Sequence, residues 1–497
     1  MDTRHTDLYK NKIVVLVAFT GISLLLFSSS TARIFLSDDY CTLHYIVANN
    51  SFLLPSFFRP LGDLTLKWTY QLAGLDPFYF YLVNILLHAV NSYLVYLFCL
   101  KWFANENRVH LFAIIAGLVF LTYPSHAEAI FWAIGRGISL ATFFSLLAMI
   151  TFVSGMSITA RYILVCLLYF MAMACYESAV MLPFVLFAML GTSSRRRNFI
   201  WTILLLATLF IHIFLRYQFT GGVWQAYNGI ILSKDIIQYL SAFIKIILRL
   251  FIPPFNQPLL FTISGIIALI IVFLIIFRNR KKFETDGIFI RTILFVITGL
   301  VATILVSISF GMSTRTSEGD RLMYLPSVFY AILISLLIVR LVTSIRTIAL
   351  ATFLLLAFQI VFLMINQHNW IRASVYAIKV INAISAHSQR PLYIINLPSD
   401  NNGAYVFRNC LPEALMHYQI DTAGVKVVNI IQSTELEKMK TLIVPDIQGE
   451  NFFIWPSALL VVKSGIVMSV NGDTTQRRIP VSSFLFWNKK DLVPVSP

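Results

Sequence analysis

Two adjacent carboxylates, Asp38 and Asp39, stand just beyond the first long apolar run of the chain, within Ser37-Asp38-Asp39-Tyr40. Carboxylates cost little in water and a great deal in hydrocarbon, so an acidic pair at the edge of a membrane-length segment points to chemistry there. A carboxylate so placed can take a proton from an acceptor hydroxyl. Polar residues recur wherever later apolar runs break off: Arg59 and Lys67, His126 and Glu128, Arg136, Glu177, then Arg315, Glu318, Asp320, Arg321 and Tyr324. Arginines confronting carboxylates suit an anionic substrate, because a guanidinium grips a phosphate with two parallel hydrogen bonds and stabilises it as a leaving group. Each residue also has a plainer reading. An Asp in a loop is usually solvated, His126 can satisfy a helix end, Asp320 and Arg321 can form a structural ion pair, and Arg136 can snorkel. Trp132, Trp224 and Trp370 read as interface aromatics. Glu177 is harder to dismiss, because it interrupts an apolar hairpin and must be paired or hydrated.

The elements that must position these residues are membrane spans. Of 497 residues, 58% are hydrophobic and 12% charged, where soluble domains run near half apolar and a quarter charged. The apolar runs are about 17 to 25 residues long and lack the alternation of barrel strands, so helices are expected. The net charge of +15 comes from Lys and Arg in short loops, where they set orientation, and no basic patch suits nucleic acid. Arg4, Lys10 and Lys12 before the first run predict a cytoplasmic N-terminus, which puts the acidic pair on the outer face.

Spans are expected at about 13–30, 79–100, 110–123 and 138–154, a two-span hairpin at 162–190, and further spans at 198–216, 259–277, 288–310, 322–340 and 348–366. That makes eleven, with the C-terminus outside. The outer loop 31–78 is long enough to hold surface-lying helices. The stretch at about 234–252 mixes Lys234, Asp235, Lys245 and Arg249 with Ile, Leu and Phe, and reads as an amphipathic interfacial helix. Residues 1–366 thus form the membrane domain. From about 387 to 497, short β-prone runs (392–396, 405–407, 425–430, 441–444 and 459–462) alternate with turn residues, as in a small exterior α+β or β-rich domain. The five cysteines have no metal spacing and no disulfide framework. Cys41 and Cys410 alone fall in expected exterior segments, too weak a signal to pair them.

The order of motifs resembles the GT-C class of polytopic glycosyltransferases, above all bacterial relatives of the transmembrane-and-tetratricopeptide O-mannosyltransferases, within the wider protein mannosyltransferase-like family. The stretches are Ser37–Tyr40, Phe58-Arg59-Pro60-Leu61, Gly74-Leu75-Asp76-Pro77, Asn84–Asn91, Tyr123–Ala129, Gly135-Arg136, Tyr176-Glu177-Ser178 and Asp320–Pro326. The resemblance implies a polyprenyl-phosphate-sugar donor, an exterior acceptor and inversion at the anomeric carbon, in a bacterial inner membrane with the C-terminal domain periplasmic. It implies Asp38 or Asp39 as general base, and Glu128 with His126 shaping the donor and acceptor site beside Glu177, Asp320 and Tyr324. The phosphate contacts are sought among Arg59, Lys67, Arg136, Arg315 and Arg321. The chain departs from the pattern in having no tetratricopeptide repeat, Tyr176 where relatives often carry Lys, and Asp320 where they usually carry Glu. No cofactor is expected, although Asp38, Asp39, His126 and Glu128 could compose an oxygen-rich divalent site, as in the oligosaccharyltransferase branch. Two other classes stay open on the sequence: a transporter or flippase for lipid-linked sugars, and a non-catalytic membrane scaffold.

Overall fold

The structure, a computed structural model, describes residues 11–30, 33–55, 57–104, 108–190, 195–222, 235–255, 257–278, 287–309, 311–395, 397–428, 451–454, 458–462, 466–468, 483–488 and 490–494. The chain divides into two compact units. The first comprises Met1–Arg33, Tyr45–Ile371 and Asn402–Ala404; the second comprises Ile34–His44, Arg372–Asn401 and Tyr405–Pro497.

The helices are α1 (Lys12–Phe27), α2 (Asp38–Asn49), α3 (Pro60–Ala73), α4 (Pro77–Trp102), α5 (Val109–Leu121), α6 (Ala127–Phe131), α7 (Arg136–Phe152), α8 (Ile158–Met173) and α9 (Leu182–Leu190). They continue with α10 (Arg195–Thr220), α11 (Ile236–Phe251), α12 (Pro258–Arg278), α13 (Gly287–Ile308), α14 (Pro326–Leu341), α15 (Ile345–Ala386) and α16 (Leu411–His417). Among the described residues six helices are long and apolar enough to cross a membrane, or seven if one bent pair is a single span; four more apolar helices are shorter. The chain is therefore a polytopic α-helical membrane protein, and the expected eleven crossings depend on those four shorter helices.

In the first unit α4 is central, packing on α1, α5 and α7, while α5 packs on α14, and α13 on α14 and α9. Asp76 caps α4, its side chain accepting from the Phe78 N–H at 3.0 Å, with Pro77 at the first helical position. Gly117 lets α5 approach closely: a Cβ there would lie 3.1 Å from the Ser92 carbonyl and 2.5 Å from the Phe19 ring. Exposed faces of α10, α12 and α15 are large and apolar, as lipid-facing surfaces are.

Two segments differ from the sequence reading. The third expected span breaks after Leu121 and bends by 51° into Pro124–Phe131, which is buried rather than an outer loop. Proline cannot donate to the helix before it, so Pro124 starts a new turn instead of continuing α5. The expected interfacial helix is α11; Ile236, Ile237 and Leu240 are exposed, but Ile246, Leu248, Arg249 and Leu250 are buried, so its last turns belong to the protein interior.

The second unit is built on strands β1 (Leu392–Ile395), β2 (Asp400–Asn401), β3 (Ala404–Tyr405), β4 (Val425–Val428), β5 (Asn451–Ile454), β6 (Ala458–Val462), β7 (Ile466–Met468), β8 (Phe484–Trp487) and β9 (Leu492–Pro494), with Ala404 assigned to the first unit. A four-stranded sheet runs β4-β1-β8-β9 and a three-stranded antiparallel one β5-β6-β7. β1 pairs in parallel with β4 and β8, Ile394 opposite Val427 and Leu485, so each connection must cross over, and α16 lies on the path to β4. The β-prone run expected at 441–444 lies outside the described residues.

The sequence division into 1–366 and 387–497 misses one exchange. Residues 34–44, which carry the acidic pair, pack with the C-terminal sheet domain, and 402–404 pack with the membrane unit. Tyr40 explains the first: its ring lies against Phe35, Phe407, His417 and Tyr418, and the Ser37 N–H donates to the Val406 carbonyl at 3.0 Å.

Candidate functional site

The polar centre of the first unit starts at the α8–α9 hairpin. The chain turns at residues 174–176, and Glu177 follows, buried. Its Oε2 accepts from Arg59 Nε at 3.1 Å and Nη2 at 2.8 Å; its Oε1 accepts from Arg216 Nη1 at 2.9 Å. Arg59 comes from the residue before α3 and Arg216 from the last turns of α10, so one carboxylate ties three elements together. The pairing meets the demand that Glu177 makes inside an apolar hairpin.

Tyr176 extends this cluster. The Arg59 guanidinium lies 4.2 Å from the centre of its ring, a cation–π contact, and its hydroxyl accepts from Arg321 Nε at 3.3 Å. Arg321 in turn pairs with Glu128: Nη1 meets Oε1, the Arg321 backbone N–H donates to Oε2 at 2.9 Å, and the guanidinium covers the Trp132 ring at 5.1 Å. The result is a continuous chain, Glu128–Arg321–Tyr176–Arg59–Glu177–Arg216. Arg59 and Arg321 keep 22% and 24% of their side chains exposed, while both glutamates are buried. Three arginines against two glutamates leave one surplus positive charge, carried on two guanidiniums that still reach solvent. Tyr176 brings in Arg59 by stacking.

Asp63 stands one turn beyond Arg59 on α3. Burial pushes its carboxyl up to about 7, with Arg59 pulling it down and Glu177 pushing it further up. Below that pH the chain keeps its surplus charge; above it Asp63 cancels the surplus.

Several expected site residues lie elsewhere. Arg136 is fully buried, donating to Asn84 Oδ1, the Thr65 and Phe80 carbonyls and Thr69 Oγ1; it braces α3, α4 and α7 and presents nothing to a phosphate. Tyr324 and His126 are enclosed with His88 and Asn91. The Tyr324 hydroxyl lies 2.7 Å from His88 Nδ1 and 3.2 Å from Asn91 Nδ2, and His126 Nε2 lies 2.7 Å from Ser327 Oγ. These buried bonds fix the kink between α5 and α6 that aims Glu128. Asp320 is buried against Arg249 of α11. Lys67, part-buried on α3, donates to the carbonyl of Asn50, an exposed residue just after α2, at 2.5 Å. Arg315 is exposed, and among the described residues only its backbone N–H is engaged, by Ser313 Oγ. Trp132 and Trp370 are buried, not interface anchors. Arg216 and Arg249 were missed as site residues because each ends a helix with an apolar exposed side, where a basic residue reads as a snorkelling end.

The acidic pair belongs to the second unit and its two members differ. Asp39 is fully buried, and its Oδ2 accepts from the Leu36 N–H at 3.1 Å, reaching back three residues as in a capping box. Asp38 is half-buried at the start of α2; its Oδ1 accepts from Asn409 Nδ2 at 2.9 Å and Ser37 Oγ at 3.5 Å. Its Oδ2 has no hydrogen-bonding partner among the described residues. Beside it a disulfide joins Cys41 of α2 to Cys410, which precedes α16.

The divalent site imagined from Asp38, Asp39, His126 and Glu128 does not suit these environments. Glu128 has both oxygens on Arg321, Asp39 is a cap, and His126 is turned into the core. Among the described residues one group of three potential ligands lies close together, Cys41, Cys410 and Glu413, and its two sulfurs are bonded to each other.

Fold and site define an integral, polytopic helical membrane protein with a small C-terminal sheet domain and an arginine–carboxylate chain in its membrane unit. No protein-family model matches the chain. Over 95 residues, 19% of this chain, it is 36% identical to Protein O-mannosyl-transferase TMTC1 of Homo sapiens and 34% identical to TMTC3 of Homo sapiens and to tmtc2 of Xenopus laevis. The match takes in 10–11% of those proteins, so the chain spans about a tenth of the relatives it matches. The resemblance to transmembrane O-mannosyltransferases read from the motifs thus holds over that stretch. Among solved structures, ArnT from Cupriavidus metallidurans bound to undecaprenyl phosphate aligns with a TM-score of 0.48 and 13% identity over 85% of this chain and 87% of that one. Its apo state aligns at 0.44 and 12%, over 87% and 89%.

Proposed function

We propose that this protein is a glycosyltransferase that moves a sugar from a polyprenyl-phosphate donor to an acceptor on the exterior face of the membrane. The observation that carries the reading is the chain Glu128–Arg321–Tyr176–Arg59–Glu177–Arg216, with its surplus charge on two partly exposed guanidiniums. Such a pair suits a lipid-borne phosphate held at a membrane surface. Arg59 and Arg321 hold the phosphate and stabilise the charge it gains on leaving. Similarity to proteins named O-mannosyl-transferases supports transfer of a hexose.

Asp38 is the general base. Asp39 spends its carboxylate on the turn, whereas Asp38 has one oxygen anchored and the other available. The acceptor O–H proton passes to Asp38, the acceptor oxygen bonds to the anomeric carbon from the face opposite the leaving group, and the bond from that carbon to the phosphate oxygen breaks. Its electron pair leaves on the polyprenyl phosphate, and the anomeric centre inverts. The disulfide supports an oxidising compartment for residues 34–44 and the C-terminal domain, which for a bacterial inner membrane is the periplasm. Acceptor choice falls to that domain, since Asp38 packs within it.

The test is purified full chain with a panel of polyprenyl-phosphate sugars and candidate acceptors, scored for release of polyprenyl phosphate. Asp38→Asn should abolish release with membrane abundance unchanged, whereas Asp39→Ala should lower thermal stability. Release that persists in Asp38→Asn removes Asp38 from the mechanism; no release with any donor refutes the enzyme reading.

A further inference from the structure

We propose that the C-terminal domain positions the base: Asn409 and the Cys41–Cys410 disulfide hold Asp38 in its working orientation. The inference rests on Asp38 being the base, and it makes Asn409, from the C-terminal segment of the same unit, a positioning residue.

Three observations converge on one carboxylate oxygen. Asn409 Nδ2 donates to Asp38 Oδ1 at 2.9 Å, Ser37 Oγ reaches the same oxygen at 3.5 Å, and Cys410 Sγ lies 3.8 Å from it. Since the disulfide sulfur carries no hydrogen, its contact is packing alone. Fixing Oδ1 leaves the rotation of the carboxylate set and Oδ2 directed away from its anchors. Asn409 is itself exposed, so its amide is not buried to satisfy a core; the residue next to it in sequence is the disulfide cysteine, which keeps the amide within reach of α2. The backbone before Asp38 is held too. Ser37 has φ +48°, a left-handed conformation that a serine adopts only when surroundings impose it, and its N–H is tied to the Val406 carbonyl. Asp38 is therefore pinned by residues 406, 409 and 410, all from a segment far along the chain. A misplacement of a base by about 1 Å costs up to a hundredfold in rate, so these anchors should show in kcat.

The experiment uses the full chain in lipid nanodiscs. Asn409→Ala should lower kcat roughly tenfold with KM for the lipid donor within about twofold of wild type. Asn409→Gln, which keeps the donor group, should recover part of the loss. A dithiol reductant, which converts Cys41–Cys410 to two thiols as it is itself oxidised, should lower wild-type kcat similarly. Cys41→Ser/Cys410→Ser should start from the lowered value and not respond to the reductant. Hydrogen exchange supplies a readout independent of turnover: amides of residues 37–44 should lose protection on reduction and in Asn409→Ala, while those of α4 and α7 stay protected. Wild-type kcat in both Asn409→Ala and the reduced protein, with Asp38→Asn inactive, overturns the positioning role and leaves the base in place. Activity in Asp38→Asn overturns the base and the inference with it. Should no donor turn over, unchanged protection of residues 37–44 overturns the inference by itself.

Discussion

Arg216 shows how one buried side chain sets the charge of a site it does not line. With it, the Arg59–Glu177–Arg216 group is net positive; without it, Arg59 and Glu177 neutralise each other. Arg216→Gln should raise KM for a polyprenyl-phosphate donor by about tenfold, and adding Glu177→Gln should restore much of the loss by returning one net positive charge. A double variant no better than the single one would show that Arg216 acts through packing instead. Asp63 tunes the same charge with pH. Its folded pKa lies near 7, well above that of an unfolded Asp, so between about pH 4 and 7 the folded state holds the extra proton and stability falls as pH rises through that window, levelling off above it. Donor affinity should weaken over the upper part of the same window, and Asp63→Asn should flatten both profiles in thermal-shift and KM measurements. Glu177 was legible in the sequence because a carboxylate inside an apolar run must find a cation. Its partners were less so: Arg59 lies 118 residues away and Arg216 sits at a helix end where a basic residue looks ordinary. Asp38 and Asp39 look alike in sequence, and the Leu36 bond is what marks Asp39 as the member tied into the turn.

At the scale of elements, the loop between α13 and α14 brings Arg321 to Glu128, and a distant segment steadies it. Ser317 donates from both N–H and Oγ to the Asn402 carbonyl, and Gly403, at φ +93°, lies so close that a Cβ would fall 2.3 Å from the Glu318 nitrogen. Gly403→Ala must therefore strain its backbone and push the loop, and should cost about 2 kcal/mol or more, with lower donor affinity as Arg321 shifts. An unchanged melting temperature and KM would show that the loop yields freely. The helical elements were largely readable from apolar periodicity, including the hairpin that turns before Glu177. The bend after Leu121 was not, because Tyr123-Pro124 reads equally as the end of a span or as a kink within one, and burial of Ala127–Phe131 decides between them.

For the whole molecule, composition alone identifies a membrane protein, and the β-prone runs past residue 387 foretell a separate sheet domain. What composition could not show is that residues 34–44 join that domain, since the ring contacts of Tyr40 and the Cys41–Cys410 bond connect positions more than 360 residues apart. The proposed orientation has a direct check. In spheroplasts treated with a reductant, a membrane-impermeant maleimide should label Cys41 and Cys410 from outside; labelling only after membrane disruption would place them in the cytoplasm. The disulfide spans 369 residues of sequence, so nearly every helix of the membrane unit lies within one covalent ring. Translation must pass residue 410 before that ring can close. A chain cut short anywhere within the bundle would insert its helices and yet leave the acidic segment untethered. The ring thus records that synthesis has passed residue 410, and only chains that reach that point can tether the acidic segment.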